Sequence, residues 1–213
     1  MSTRTFISTV GRLVLAAACL GPSVSCGSEL LRTGRAPVYL TITSLAAAKG
    51  DKPDEFVANL LSDVQTLVDV TVGGVTVKVP TIFNDLGRAT LVVALKDPSI
   101  AATGMNAVTI TRYHVEFRRS DGRNAPGTDV PYAFDGGVTA TIPVGGSGRE
   151  VIFDLVRHAA KLEPPLRNMV GAGGRIFIST IAEVTFYGRD QNGNEVIASG
   201  MMDVSFGDFG DEE

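Results

Sequence analysis

Apolar and polar residues alternate along most of this chain. Val38–Ser44 (VYLTITS) carries apolar side chains at every second position, the period of a strand with one buried face. Leu67–Val79 (LVDVTVGGVTVKV) repeats that period on both sides of Gly73-Gly74. Paired glycines supply the positive φ values of a tight turn, so this segment is predicted to be a hairpin. Arg88–Lys96 predicts one strand and Ala107–Arg119 a longer one. In the longer strand the apolar positions are Val108, Ile110, Tyr113, Val115 and Phe117, and the slip between 110 and 113 predicts a β-bulge. Gly137–Val144 and Arg149–Val156 read as strands about a Gly-rich turn. Ile176–Tyr187 and Glu195–Phe206, joined by GRDQNGN, read as a hairpin. In that hairpin Val184, Phe186, Val204 and Phe206 are predicted to share one buried face.

Two segments break the pattern. Phe56, Val57, Leu60, Leu61, Val64, Leu67 and Val68 fall on one helical face after Pro53, yet LVDVTV follows at once with period two. Residues 53–68 are therefore either a helix or an irregular strand. Ala159–Val170 suits a short helical piece broken at Pro164-Pro165. About eight short strands with turn signals between them, and no repeat of fixed length, predict an all-β chain with a single β-sandwich. The expected organisation is a signal peptide over residues 1–25, a tether over 26–36 and one β-sandwich domain over 37–213.

The first residues, MSTRTFISTVGRLVLAAACLGPSVSC, follow a different logic. Arg4 and Arg12 precede a short apolar run, Leu13–Leu20, and small residues follow. Such a run is shorter than the roughly 20 residues a membrane-spanning helix needs, and the proportions are those of a signal peptide. Ser23, Val24 and Ser25 before Cys26 resemble the lipobox of bacterial lipoproteins. The resemblance implies cleavage before the cysteine and acylation of its thiol. Cys19 would leave only a stub of apolar run, so lipid attachment is expected at Cys26. Position 23 is Ser where the lipobox has an aliphatic residue, and a plain secretory signal is the alternative. Gly27 stands where an Asp would resemble an inner-membrane retention signal. An exported protein, lipid-anchored to the cell envelope at its outer membrane, is the expectation.

Composition narrows the partners. Hydrophobic residues make up 44% of the 213 positions and charged residues 20%, which is globular rather than disordered. The formal charge is −4, and removal of residues 1–25 takes away Arg4 and Arg12 but no acid, leaving −6. No basic run exceeds two residues, so no nucleic-acid partner is expected. The acidic end, Gly207–Glu213, also disfavours attraction to anionic headgroups. The membrane is then a partner through the acyl chains on Cys26, and stable anchoring takes more than one chain. Both cysteines lie within the first 26 residues, so the domain can hold no internal disulfide.

The residue types for catalysis are sparse. His114 and His158 are the two histidines, with no His-x-x-His pair and no G-x-S-x-G elbow. Gly145-Gly146-Ser147-Gly148 reads as a turn, and Gly171–Gly174 lacks the strand-then-helix setting of a phosphate loop. No catalytic residue and no cofactor are expected. Asp190, Asn192 and Asn194 alternate oxygens as a calcium loop begins, with Glu195 adjacent, although Asn and Gly also suit a plain hairpin turn. A ligand-binding candidate is the loop SDGRNAPGTDVPYAFDGG. Its Asp121, Asp129 and Asp135 offer carboxylates, and Tyr132 and Phe134 alternate with them as a candidate aromatic platform. Arg118, Arg119 and Arg123 nearby suggest a charge network or an edge for an acidic partner.

Two resemblances extend beyond the leader. EVTFYGRDQNGNEVIASGMMDVSF resembles the last two strands of immunoglobulin-like extracellular modules. The set CGSELLRTGRAP, PTIFNDLG, TRYHVEFRRSDGRNAPGTDVPYAFDGG and TFYGRDQNGNE resembles a group of bacterial lipoproteins that carries no assigned activity. Together they imply an immunoglobulin-like β-sandwich on a lipid anchor. The function expected is a non-enzymatic binding or structural module with an envelope protein as partner. The alternatives are an envelope hydrolase using the loop carboxylates, and a surface-appendage or adhesion subunit.

Overall fold

The computed structural model of the chain describes residues 34–209, and the leader and Cys26 lie outside the described residues. Among the described residues there are ten strands: β1 (Val38–Ala48), β2 (Asn59–Asp63), β3 (Thr66–Val72), β4 (Val75–Thr81), β5 (Asp85–Leu95), β6 (Val108–Arg118), β7 (Phe134–Ile142), β8 (Arg149–Val156), β9 (Phe177–Asp190) and β10 (Glu195–Gly207). One sheet has the order β1-β5-β8 and the other β2-β10-β9-β6-β7, while β3 and β4 pair only with each other. All pairings are antiparallel except β2 with β10, which is parallel. Reading β1, β5, β6, β8, β9 and β10 as strands A, B, C, E, F and G gives the immunoglobulin arrangement, A, B and E facing G, F and C. β7 sits beyond β6 as an added edge strand.

Residues 53–68 hold no helix: turn and an isolated bridge at Val57 lead into β2 at Asn59, β2 ends at Asp63 and β3 begins at Thr66. Leu60 and Val64 are buried while Leu61 is half exposed, a division that both periods allow in the sequence. The slip in β6 is a register shift between Ile110 and Arg112 against both neighbours. β7 and β8 are strands about a Gly-rich turn, but they belong to different sheets. The chain crosses over at Val144, which bridges Val93 of β5, and Gly145 donates its N–H to the Val93 carbonyl. The predicted helical piece is one turn, α1 (His158–Lys161), followed by a 3-10 turn at Leu166–Met169.

The core lies between the sheets and is closed by aromatic rings rather than by a disulfide. Tyr113 of β6 packs 5.0 Å from Phe153 of β8, and Phe153 stands edge-on to Phe186 of β9 at 5.3 Å. Phe117 meets Phe206 edge-on at 5.3 Å. Edge-on pairs satisfy the ring quadrupole as well as burying area. Two cross-strand glycines make room for these rings. A Cβ at Gly87 would run into its partner Phe153, and one at Gly136 into its partner Tyr113. The Tyr113 hydroxyl crosses the sandwich and accepts the Asp154 N–H at 3.2 Å, which fastens β6 to β8. Val184, Phe186, Val204 and Phe206 are all fully buried. Ala36 is also buried, so core packing begins one residue before the expected domain start.

Candidate functional site

The outer face of the five-stranded sheet gathers polar groups in rows. Register places Ile197, Tyr187, Arg112 and Gly137 in one row, and Ser199, Thr185, His114 and Asp135 in the next. The β6 bulge turns two successive residues, Thr111 and Arg112, away from the core. A bulge re-aims side chains in this way and locally increases the twist. Beside it opens a cleft of about 260 Å³ lined by Thr111, Arg112, Tyr187, Arg189, Glu195 and Ile197.

Arg112 dominates this cleft. Its guanidinium lies 4.0 Å from the centroid of the Tyr187 ring and 3.1 Å from Asp135 Oδ1. The His114 Nδ1 lies 3.3 Å from the same oxygen, so Asp135 ties both side chains to the edge strand. The hydroxyls in the His114 row bond to each other, Thr185 Oγ1 to Ser199 Oγ at 2.8 Å. Arg189 pairs with Glu195 at 3.3 Å across the β9–β10 ladder. One row further, Arg118 bridges Glu116 at 2.9 Å and Glu183 at 3.6 Å. The face is thus an array of crosslinked charges around a cation stacked on an aromatic ring.

The loop candidates divide. Asp135 belongs to this face. Asp121 is clamped by Arg119, with contacts of 3.1 and 2.6 Å, and by Arg123 at 3.0 Å. The Arg119 guanidinium and the Arg123 backbone N–H hold the Asp121 carboxyl well below the ordinary carboxylate range. Asp129 accepts the Ala125 N–H at 3.2 Å and so closes its own loop. Tyr132 is exposed and lies over Gly127, where a Cβ would run into its ring. Phe134 is no platform: it is buried, 6.2 Å from Tyr113, with the Arg157 guanidinium 4.1 Å above its ring. Tyr132 and Phe134 therefore face different environments. The alternation that suggested a shared platform ends where β7 enters the core.

Asp190 serves the hairpin turn. Its Oδ1 accepts the N–H groups of Asn192 and Asn194 at 2.9 and 2.8 Å, and its Oδ2 accepts the Asn194 side-chain amide at 2.8 Å. Asn194 presents a donor to Asp190, the reverse of what two metal ligands would do. Among the described residues no group of three or more His, Cys, Asp or Glu side chains converges. His158 begins α1 and is held by Asn84. Its backbone N–H and its Nδ1 both reach Asn84 Oδ1, at 2.8 and 3.0 Å.

Two buried charge sites escaped sequence reading. Lys161 Nζ lies 2.9 Å from Asp85 Oδ2 with both side chains almost fully buried. Ser62 donates to the same oxygen at 2.5 Å, and the Gly50 N–H donates to Oδ1 at 3.0 Å. Burial pushes the Asp85 carboxyl up against the pull of Lys161 and these donors. Near the ends of β2 and β10, Asp63 Oδ1 accepts the Phe209 N–H at 3.2 Å and Asp208 Oδ2 accepts the Gly171 N–H at 2.6 Å. Burial raises the Asp63 carboxyl to about 6, with the Asp208 charge adding to the effect. No signal in the sequence separates these acids and this lysine from the exposed ones.

Among the described residues no helix is long and apolar enough to cross a membrane. No protein-family model matches the chain, and no curated protein is similar enough to count as a match.

Proposed function

We propose that this chain is a non-enzymatic binding or structural module of the cell envelope, held at the outer membrane by acyl chains on Cys26. The observation that carries the reading is the cleft on the five-stranded face, where Arg112 is stacked on Tyr187 and tied to Asp135. A strand-built face with paired charges and an aromatic–arginine pair suits recognition of a partner, since Tyr and Arg dominate binding hot spots. The loop acids support the same reading. Asp121 is held ionised by arginines, the opposite of the raised carboxyl that an acid catalyst needs.

The test is purification of the native protein from membranes, with identification of what accompanies it, for the wild type and for Arg112→Ala/Tyr187→Ala. A defined envelope component present with the wild type and lost with the variant is the expected result. An unchanged set of companions contradicts the assignment of this face.

A further inference from the structure

The cleft on the five-stranded face holds a second arginine, and register explains its place. Arg112 of β6 lies directly opposite Tyr187 of β9, and Arg189 stands two residues beyond Tyr187 on the same face. Diagonal cross-strand neighbours of this kind are within reach of long side chains. Both arginines line the cleft, with side chains 50% and 65% exposed.

Neither arginine has spent its donors. A guanidinium is a planar fork of N–H groups that engages more than one acceptor. Among the described residues Arg112 gives one nitrogen to Asp135 at 3.1 Å, and Arg189 gives one to Glu195 at 3.3 Å. The Tyr187 ring, 4.0 Å from the Arg112 guanidinium, holds that group in place without consuming an N–H. Asp135 is outside the lining, so the cleft itself carries two cations, Arg112 and Arg189, against one acid, Glu195. That is a local excess of positive charge on a chain whose formal charge is −4.

We propose that this cleft takes the carboxylate of a glutamate side chain on a partner protein, with Arg112 and Arg189 donating to it together. The proposal rests on the reading of this face as a partner-binding surface and names what the face recognises. Arginine offers a carboxylate planar, bidentate pairing. The molecule builds a two-arginine clamp for itself at Asp121, where Arg119 makes contacts of 3.1 and 2.6 Å and Arg123 contacts of 3.0 Å. The rest of the lining suits the stem of such a side chain. Ile197 and the Tyr187 ring offer apolar contact to its methylenes, and Thr111 adds a hydroxyl. A volume of about 260 Å³ holds one side chain rather than a large ligand. A phosphate dianion fits less well, because Glu195 within the cleft and Asp135 beside it repel the second charge.

The test is NMR titration of the full chain in non-ionic detergent with a capped Gly-Glu-Gly peptide, a capped Gly-Gln-Gly peptide and inorganic phosphate. Each is used at millimolar levels, because one side chain alone binds weakly. The glutamate peptide is expected to shift the Nε–H signals of Arg112 and Arg189 and the methyl signals of Ile197 saturably. The glutamine peptide should bind about tenfold more weakly, and Arg189→Gln, a change at an exposed side chain, should weaken the glutamate peptide by a similar factor. Equal binding of the two peptides, or saturable binding of neither, overturns the proposal. Phosphate that shifts these signals where the glutamate peptide does not also overturns it and assigns the cleft to phosphate. Purification of Arg189→Gln from membranes separates the proposal from the reading it rests on. Companions lost with this variant support carboxylate capture. Companions kept by Arg189→Gln but lost with Arg112→Ala/Tyr187→Ala overturn carboxylate capture and leave the face as the binding surface. Companions kept by both overturn the face and the proposal with it.

Discussion

Lys161 and Asp85 meet at 2.9 Å with their side chains 2% and 1% exposed, and the contact fastens α1 to the start of β5. Removing one partner strands a buried charge. Lys161→Met is expected to destabilise the domain by about 3–5 kcal/mol, whereas Lys161→Met/Asp85→Leu should recover much of that loss. Urea titration of the three proteins checks both values. A double variant that loses more than Lys161→Met alone would contradict the stranded-charge account.

Asp63 makes the pH dependence specific. Its folded value of about 6 lies above its ordinary value of 3.8, so between these limits the folded state holds a proton that the unfolded chain has released. Its contribution is full below pH 3.8, declines as pH rises and is gone above about 6. A shift of this size corresponds to roughly 3 kcal/mol at most. Asp63→Asn keeps an oxygen for the Phe209 N–H and removes the titration. It is expected to be more stable than wild type at pH 8 and to lack the decline between pH 4 and 6. A wild type whose stability rises across that interval, with Asp63→Asn following it, would refute the assignment.

The core prediction concerns Phe186, which is fully buried and contacts both Phe153 and Tyr113. Phe186→Ala is expected to cost about 3–5 kcal/mol, because a ring-sized cavity between two sheets cannot collapse fully. A loss below 1 kcal/mol in thermal or chemical unfolding would contradict the packing described.

Asp190 gathers three N–H donors into the β9–β10 turn. Asp190→Ala is expected to cost about 1–3 kcal/mol by removing the charged acceptor of three part-buried donors. Calcium at millimolar levels should leave the melting temperature of the wild type unchanged. A calcium-dependent rise that Asp190→Ala abolishes would convert the turn into a metal site.

What could be read from the sequence was local. The β6 bulge was legible because apolar alternation slips between Ile110 and Tyr113, and the last hairpin because Val184, Phe186, Val204 and Phe206 keep strict period two. Residues 53–68 stayed ambiguous because their apolar positions satisfy both periods, and only pairing of β2 with β10 decides for a strand. The count of about eight strands falls short of ten, and the strand that no predicted segment covers is β2, which lies in 53–68, whereas β3 and β4 are the hairpin predicted over Leu67–Val79. Sheet membership is a long-range property, which is why a Gly-rich turn concealed the crossing from β7 to β8. Asp135 was found as a site residue, but its partners Arg112 and His114 sit on another strand and meet it only through register. Phe134 looked like its exposed neighbours because one residue decides which face of β7 a side chain takes.

The proposed anchor at Cys26 underlies the envelope reading, and intact-mass measurement of the native protein tests it most directly. The account predicts a chain in the membrane fraction that starts at Cys26 and carries the added mass of acyl chains. A soluble chain with a free Cys26 thiol, or one that retains residues 1–25, would contradict it.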